Sequence, residues 1–549
     1  MFLTTQSLNE LQGLLGENIV DFLPEMVLCG SIVLMLLMRL VKGFDRWHLG
    51  PFALGLTVVA LVISFFQWSS PPRNPIDLFG GLLVYDNFTI FLRLFLLGFT
   101  ALVIWLSLLT GIPDREDSAD FHCLLLGATL GMSLMASANH LLMVYIGVEM
   151  ASLPSYALAG FLKGKRQSGE AALKYVVYGG GASGIMLYGI SLLAGKFGTA
   201  YLPDLAVSYT AALSTGRFDA VLLLGTLFVL IGISFKLAAV PFHFWCPDVF
   251  EGAAAEVAGF LSVASKGAAL ALLGRFVLVL GQAGVGPTLD VVNYLVPAIA
   301  VLAVVTATFG NLAAYAQTNL KRLLAYSTIA HAGYMMMGIA TLRKEGAAAV
   351  LSYLVVYLLM NLGAFAVVAF LRNLTGSEDL SSFRGLVHRA PVLVITLAVF
   401  LLSLLGIPPL AGFFAKFQVF AALYQAGSDY GLDTALGITM IVLLVAGGLN
   451  TVISLVYYIR VLKVMILDRP LEEVEGQPAR PLAVPYASGA YAMLLSLALV
   501  VLGGFWGPLV NACYGQGVSG FYQKPPDAKL GQERLRVMPR PQMQRGPAR

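Results

Sequence analysis

Apolar stretches, most of them close to twenty residues long, recur along this 549-residue sequence and leave room for little besides membrane-crossing helices. A helix rises about 1.5 Å per residue, so about twenty residues cross a hydrocarbon core about 30 Å thick. Windows bounded by polar, Pro or Gly residues place spans near 23–41, 51–68, 82–110, 120–136, 139–162, 171–195, 219–242, 257–281, 291–312, 323–341, 348–371, 391–424, 435–464 and 487–510. Lipid offers the backbone no hydrogen-bond partner, so each span satisfies its own amides as a helix. The expected fold is all-α and polytopic, with about fourteen transmembrane helices. Composition agrees: 58% of residues are hydrophobic and 12% charged, against about 25% charged in soluble domains.

Other classes fall away quickly. No Lys or Arg precedes the first apolar run, so that run reads as a retained helix rather than a cleaved signal. Cys29, Cys123, Cys246 and Cys513 are far apart and form no C-x-x-C pair, so they read as small packing residues without an iron–sulfur, zinc or disulfide framework. The net charge of +4 is too mild to imply nucleic acid.

Basic residues between spans set the orientation. With the amino terminus outside, inner loops hold Arg39, Lys42 and Arg46, then Lys163, Lys165 and Arg166, then Lys321 and Arg322. Arg372, Arg384 and Arg389 precede the twelfth span, and Arg460, Lys463, Arg469 and Arg480 follow the thirteenth. Outer loops hold only Arg73, Lys196, Arg217, Arg343 and Lys344. An even span count puts both termini outside, against which stands the segment 523–549, a Pro-, Gln- and Arg-rich stretch with seven basic residues that reads as a disordered tail.

Ionisable side chains deep in a span cost about 2.5–3.5 kcal/mol on insertion scales and therefore point to function. Glu149 in "LLMVYIGVEMASLPSYALAG", Lys236 in "GISFKLAAVPFHFWCPDVFEG", Lys266 in "FLSVASKGAALALLG" and Lys416 in "GIPPLAGFFAKFQVF" meet that description, and His331 in "LKRLLAYSTIAHAGYMMMG" joins them. Lys174, Arg275, Lys321 and Arg322, nearer span ends, read as snorkelling to the headgroups. Pro241 and Pro247 follow Lys236, and Pro408 and Pro409 precede Lys416 by seven residues or so; each proline removes a helical hydrogen bond. Non-helical backbone at that depth is tolerated only inside protein or beside water, and two Pro-interrupted spans five apart point to a duplicated, transporter-like fold. A buried amine is pulled two ways: desolvation favours its neutral form and a nearby carboxylate its charged form, which makes a lysine–glutamate pair a switch. Glu149 is the acid expected to partner Lys236, with Lys266, His331 and Lys416 passing a proton onward.

The stretches "VYIGVEMASLPSYAL", "SFKLAAVPFHFWCPDVFEGA", "NLKRLLAYSTIAHAGYMMMG", "YLLMNLGAFAVV" and "GIPPLAGFFAKFQVF" closely resemble the subunit N family of respiratory complex I, relatives of multicomponent cation/proton antiporter subunits. The resemblance runs in order over about residues 20–510. It implies fourteen helices containing two inverted five-helix repeats, each with a broken helix: 1–119 for helices 1–3, 120–281 and 282–464 for the repeats, 465–510 for a linker and the last helix, and 511–549 for the tail. It matches Glu149, Lys236, Lys266, His331 and Lys416 to the family's intramembrane glutamate, lysines and histidine. A lysine at 416 sets the chain apart from the M-type subunits, which carry glutamate there, and the chain is too short for the long lateral helix of the L-type. One departure is plain. Where the family reads "GAPTPV", this chain reads "GAAAEV" (252–257), losing both prolines and gaining Glu256, which reads as a solvated loop residue.

The resemblance implies a proton-translocating subunit of NADH:quinone oxidoreductase in a bacterial inner membrane. Flavin, iron–sulfur clusters and quinone would belong to partner subunits, this chain would hold no cofactor and no metal, and its neighbours would be other antiporter-like and small membrane subunits. A subunit of a cation/proton antiporter is the alternative. A membrane enzyme acting on lipid-linked substrates would need paired acids near the surface, for which Asp248, Glu251 and Glu256 are the candidates.

Overall fold

A computed structural model describes Gly16 and residues 18–41, 47–213, 219–282, 289–470 and 481–519. Lys42, Arg46, Arg217, Arg480 and the basic segment 523–549, all part of the expected topology, lie outside the described residues.

The principal helices are α1 (Leu23–Leu40), α2 (Gly50–Ser69), α3 (Asn87–Thr110), α4 (Ser118–Ser137), α5 (Leu141–Ala159), α6 (Arg166–Phe197), α7 (Ala220–Leu237) and α8 (Trp245–Gly252). Helix α9 follows, running from Ala255–Phe260 through a π-helical turn, Leu261–Ser265, into Lys266–Gln282. Then come α10 (Leu289–Ala314), α11 (Leu320–Ala340), α12 (Lys344–Thr375), α13 (Pro391–Leu405), α14 (Ala411–Tyr430), α15 (Ala435–Ile466) and α16 (Tyr486–Gly504). Among the described residues, twelve helices are long and apolar enough to cross a membrane. Side-chain caps start several of them: Asp86 accepts from the Thr89 amide at α3, Asn319 from the Arg322 amide at α11 and Thr434 from the Gly437 amide at α15.

Burial grades the bundle from centre to edge. The apolar windows of α9 and α12 are 94% and 89% buried, whereas those of α1 and α2 are 28% and 22% buried. Helix α9 carries its charged residues Glu256, Lys266 and Arg275 inside protein, whereas α1 and α2 present broad apolar faces outward.

The sequence places helix from 82 onward, but a short antiparallel hairpin intervenes, β1 (Ile76–Leu78) with β2 (Leu83–Tyr85), pairing Ile76 with Tyr85 and Leu78 with Leu83. Gly80 and Gly81 turn it at positive φ. Asp77 ties the hairpin down by accepting from Tyr201 Oη at 2.6 Å and Asn139 Nδ2 at 3.0 Å.

Both expected breaks are present, and one works differently from the proline argument. Pro408 and Pro409 occupy the turn between α13 and α14. Helix α7, by contrast, stops at Leu237, ahead of Pro241, with Ala238 in the left-handed region (φ 54°). Pro247 is not a breaker at all, because it sits in the first turn of α8, where an amide has no intrahelical acceptor to lose.

Three charged residues expected in the headgroups or in solvent are buried instead. Arg275 is 2% exposed and grips Asp86 with both ends of its guanidinium, at 2.9 and 3.1 Å, while donating to the Ala136 carbonyl. Lys321 pairs with Glu378 at 2.9 Å and donates to the Ala253 carbonyl at 2.7 Å. Glu256 is fully buried and forks onto Arg372. Each has a partner distant in sequence, so a long side chain that spacing alone assigns to the membrane surface turns inward.

Candidate functional site

Lys236 lies in the last turn of α7, 1% exposed, and its Nζ has no hydrogen-bond partner. The break leaves the carbonyls of Ser234 and Phe235 without helical donors, but other groups take them. The amides of Ala238 and Ala239 bond back to Phe235 and Ser234, and the Trp245 indole donates to Phe235 at 3.0 Å. Trp245 in turn stacks flat on Tyr175 of α6, with ring centroids 4.2 Å apart, and Lys236 Nζ lies 5.9 Å from the centre of that tyrosine ring. The lysine thus lies over the face of one ring of an aromatic stack.

Glu149 stands on α5 with Oε1 buried and unpartnered. Its charge acts on Lys236, yet the two form no ion pair within 4.0 Å. The expected pair is a pair by field, not by contact. A buried amine without a partner is costly, and bringing the half-buried Glu149 carboxylate closer to Lys236 would relieve that cost.

Lys266 begins the segment after the π turn of α9, fully buried, with Nζ 3.9 Å from Cys246 Sγ. That cysteine, read from the sequence as packing, is the hydrogen-bonding neighbour of Lys266. His243, in the break itself, was also not singled out. Its ring lies 4.5 Å from that of Phe309, its Nδ1 is unpartnered, and the charge of Lys266 reaches it. Between the Lys236 and Lys266 regions the hydroxyls of Tyr175 and Ser265 approach one another without reaching hydrogen-bond geometry.

His331 of α11 is held at both ring nitrogens, Nδ1 by Tyr353 Oη at 2.8 Å and Nε2 by Tyr458 Oη at 3.2 Å. Tyr458 shares a further hydrogen bond with Ser327, and Tyr357 stacks on the imidazole with centroids 5.2 Å apart. Tyr334 packs edge-on against the imidazole as well, with ring centroids 5.8 Å apart.

Lys416 ends the series. It is 4% exposed, its Nζ donates to the Leu405 carbonyl at 3.0 Å, and it lies 4.7 Å from the centre of the Tyr334 ring. Tyr334 also borders His331. Leu405 is the last residue of α13, so the break at Pro408 and Pro409 supplies the carbonyl that holds the lysine. Two glycines make the fit possible. Gly406 turns the chain at φ 92° against the Lys416 stem, and a Cβ on Gly412 would fall 1.9 Å from the Ser403 carbonyl oxygen.

Lys236, Lys266, His331 and Lys416 are therefore all buried, Glu149 is half-buried, and Tyr334 borders both His331 and Lys416. The tyrosines between them were missed, although Tyr353 and Tyr357 are four apart in "SYLVVYLLM" and share a helix face. A further buried charge pair was missed as well: Glu25 of α1 and Arg93 of α3, 2.6 Å apart and nearly inaccessible. Glu149 is accordingly not the only acid inside the bundle. Asp248 and Glu251, the candidate paired acids of a surface enzyme, are both engaged by Arg322, with Lys174 also on Asp248.

Known proteins give the same geometry a lineage. The family model described as "NADH:quinone oxidoreductase/Mrp antiporter, TM" matches residues 138–443. "NADH-quinone oxidoreductase subunit N 2" of Sorangium cellulosum is 42% identical over 505 residues, 90% of this chain and 96% of that one. Among solved structures, a chain of respiratory complex I from Thermus thermophilus with bound aureothin is 30% identical at a TM-score of 0.70, covering 90% of this chain and 100% of that one. A chain of the Mrp complex from Dietzia sp. DQ12-45-1b shares the fold at a TM-score of 0.77 and 19% identity, covering 92% of this chain and 98% of that one.

Proposed function

The chain belongs to the NADH:quinone oxidoreductase/Mrp antiporter family of membrane subunits, on the subunit N branch, and on that premise we propose that its buried charges carry protons across a bacterial inner membrane as part of an NADH:quinone oxidoreductase. The observation that carries the reading is the set of buried basic groups, Lys236, Lys266, His331 and Lys416, lying between the two broken helices with phenols and hydroxyls beside them.

Glu149 and Lys236 form the input. Drawing the carboxylate toward the amine favours the ammonium and drawing it away favours proton release, so a displacement elsewhere in the complex changes the charge at Lys236. Lys266, His331 and Lys416 are the onward carriers. Imidazole suits the middle position because it binds and releases a proton at either nitrogen. The orphaned polar atoms of Tyr175, Ser265 and Tyr357 border this line and suit a path that ordered water completes.

In this reading α11 and the broken α13–α14 also cross the membrane. With the twelve long apolar helices they make fourteen crossings, with both termini outside and the two repeats at 120–281 and 282–464. The NADH, flavin, iron–sulfur and quinone chemistry is assigned to partner subunits, with other antiporter-like and small membrane subunits alongside. The 42% and 30% identities to oxidoreductase chains favour this assignment over a cation/proton antiporter, for which the likeness is one of fold.

The test is Lys236→Met in inverted membrane vesicles, following NADH-driven quinone reduction, proton uptake and assembly on one sample. Both activities should fall about tenfold or more with the complex intact. Wild-type rates would make Lys236 a packing residue and end the proposed path.

A further inference from the structure

Glu256 stands ten residues before Lys266 on the same buried helix, and the interior around it runs toward that lysine. It lies in the first turn of α9, fully buried, with Oε1 3.1 Å from Arg372 Nη2 and Oε2 3.4 Å from Nη1. Arg372 belongs to α12, which lies against α9 in antiparallel register. Three levels define the contact: Glu256 with Arg372, Gly259 with Phe365, and Ser262 with Asn361. About one turn further along α9 stand Ser265 and Lys266.

The seam between these helices is polar at both ends and apolar in the middle. Asn361 donates from Nδ2 to the Ser262 hydroxyl, yet its Oδ1 is buried without a partner, as is Ser265 Oγ. Asn361 and Tyr357 are one turn apart on α12, and Tyr357 stacks on His331, so the same face leads to the histidine. The intervening level is closed by Phe365, whose Cβ would lie 3.2 Å from a Cβ on Gly259. The helix also changes to a π turn at Leu261–Ser265, an irregularity frequent at functional sites. The charges facing Glu256 are Arg372 of α12 and, from α11, Lys321, itself paired with Glu378. This end of the bundle carries the basic loops and is read above as cytoplasmic.

We propose that Glu256 is a proton-loading carboxylate on the cytoplasmic approach to Lys266, held between turnovers by Arg372, with the Phe365–Gly259 contact closing the way inward. The proposal rests on the proton-path reading of Lys266. A proton from cytoplasmic water binds the Glu256 carboxylate, which becomes a neutral acid and loosens from Arg372. The proton then passes through water held by the polar atoms of Ser262, Asn361 and Ser265 to the neutral amine of Lys266, leaving an ammonium there and restoring the carboxylate and its pairing. One proton moves and no bond to carbon changes. Ten residues of helix separate the two groups by about 15 Å, too far for direct transfer, so the polar side chains between are required.

The experiment compares Lys266→Met, Glu256→Gln and Glu256→Asp in the whole complex in inverted vesicles, reading protons taken up per NADH oxidised, with assembly checked for each. Glu256→Gln keeps hydrogen bonding to Arg372 but cannot load a proton, so a purely structural role would leave the ratio unchanged. The expected result is a loss in Glu256→Gln equal to that in Lys266→Met, with Glu256→Asp restoring most of it. Where Glu256→Gln does not assemble, Ser262→Ala, which leaves the Glu256–Arg372 pair in place, carries the same expectation, and a wild-type ratio there overturns the proposal. A wild-type ratio in Glu256→Gln beside a lowered one in Lys266→Met overturns the proposal alone. A wild-type ratio in Lys266→Met overturns the reading beneath it as well.

Discussion

The two broken helices carry a lysine each and treat it in opposite ways. At the α13–α14 break, Lys416 donates to the Leu405 carbonyl that the break exposes, and Gly406 and Gly412 let the chain close tightly around it. At the α7–α8 break, the exposed carbonyls are taken by backbone amides and by the Trp245 indole, so Lys236 keeps no hydrogen bond and has only the Tyr175 ring face and the distant charge of Glu149 to answer to. The difference teaches that a helix break does not by itself anchor a cation. What matters is whether other donors reach the freed carbonyls first. An anchored lysine suits a terminal station, and an unanchored one responds to a moving partner.

The largest expected effect sits at the anchored break. Gly412→Ala would drive a methyl into the Ser403 carbonyl, a backbone atom that cannot swing aside, at a cost of about 1–3 kcal/mol or more. The chain should fail to assemble, as gel analysis of solubilised membranes would report; normal assembly would mean the second break is looser than described. At the other break, Trp245→Phe removes one of two donors to the Phe235 carbonyl. Thermal stability of the solubilised complex should fall by about 1 kcal/mol, and coupled proton uptake by about two- to fivefold, because the freed carbonyl competes for Lys236. Unchanged uptake would show that Lys236 does not depend on that carbonyl being occupied. The smallest change is expected from Tyr175→Phe, whose hydroxyl makes no hydrogen bond while its ring keeps the Trp245 stack. Stability should stay within about 0.5 kcal/mol, while proton uptake drops if the hydroxyl borders the path. A large loss of stability would place that hydroxyl among the structural groups of the break.

Glu149, Lys236, Lys266, His331 and Lys416 were legible because a charge inside an apolar run is conspicuous one residue at a time. Cys246, His243 and the tyrosines around His331 were not, since nothing in their own windows separates them from packing residues. Arg275, Lys321 and Glu256 were misread for a related cause. Span-end position suggests snorkelling or solvation, but Asp86, Glu378 and Arg372 lie 189, 57 and 116 residues away in the chain and draw them inward.

Local hydrophobicity and backbone chemistry are properties of neighbouring residues, and they determined a polytopic helical protein with two interrupted spans and a short set of costly buried charges. Which carbonyl each break exposes, which donor reaches it, and whether a buried charge meets a partner or only its field depend on side chains brought together from distant segments. Those distances were decided by the way α9 and α12 sit at the centre of the bundle, where dense burial makes every unpartnered polar atom count.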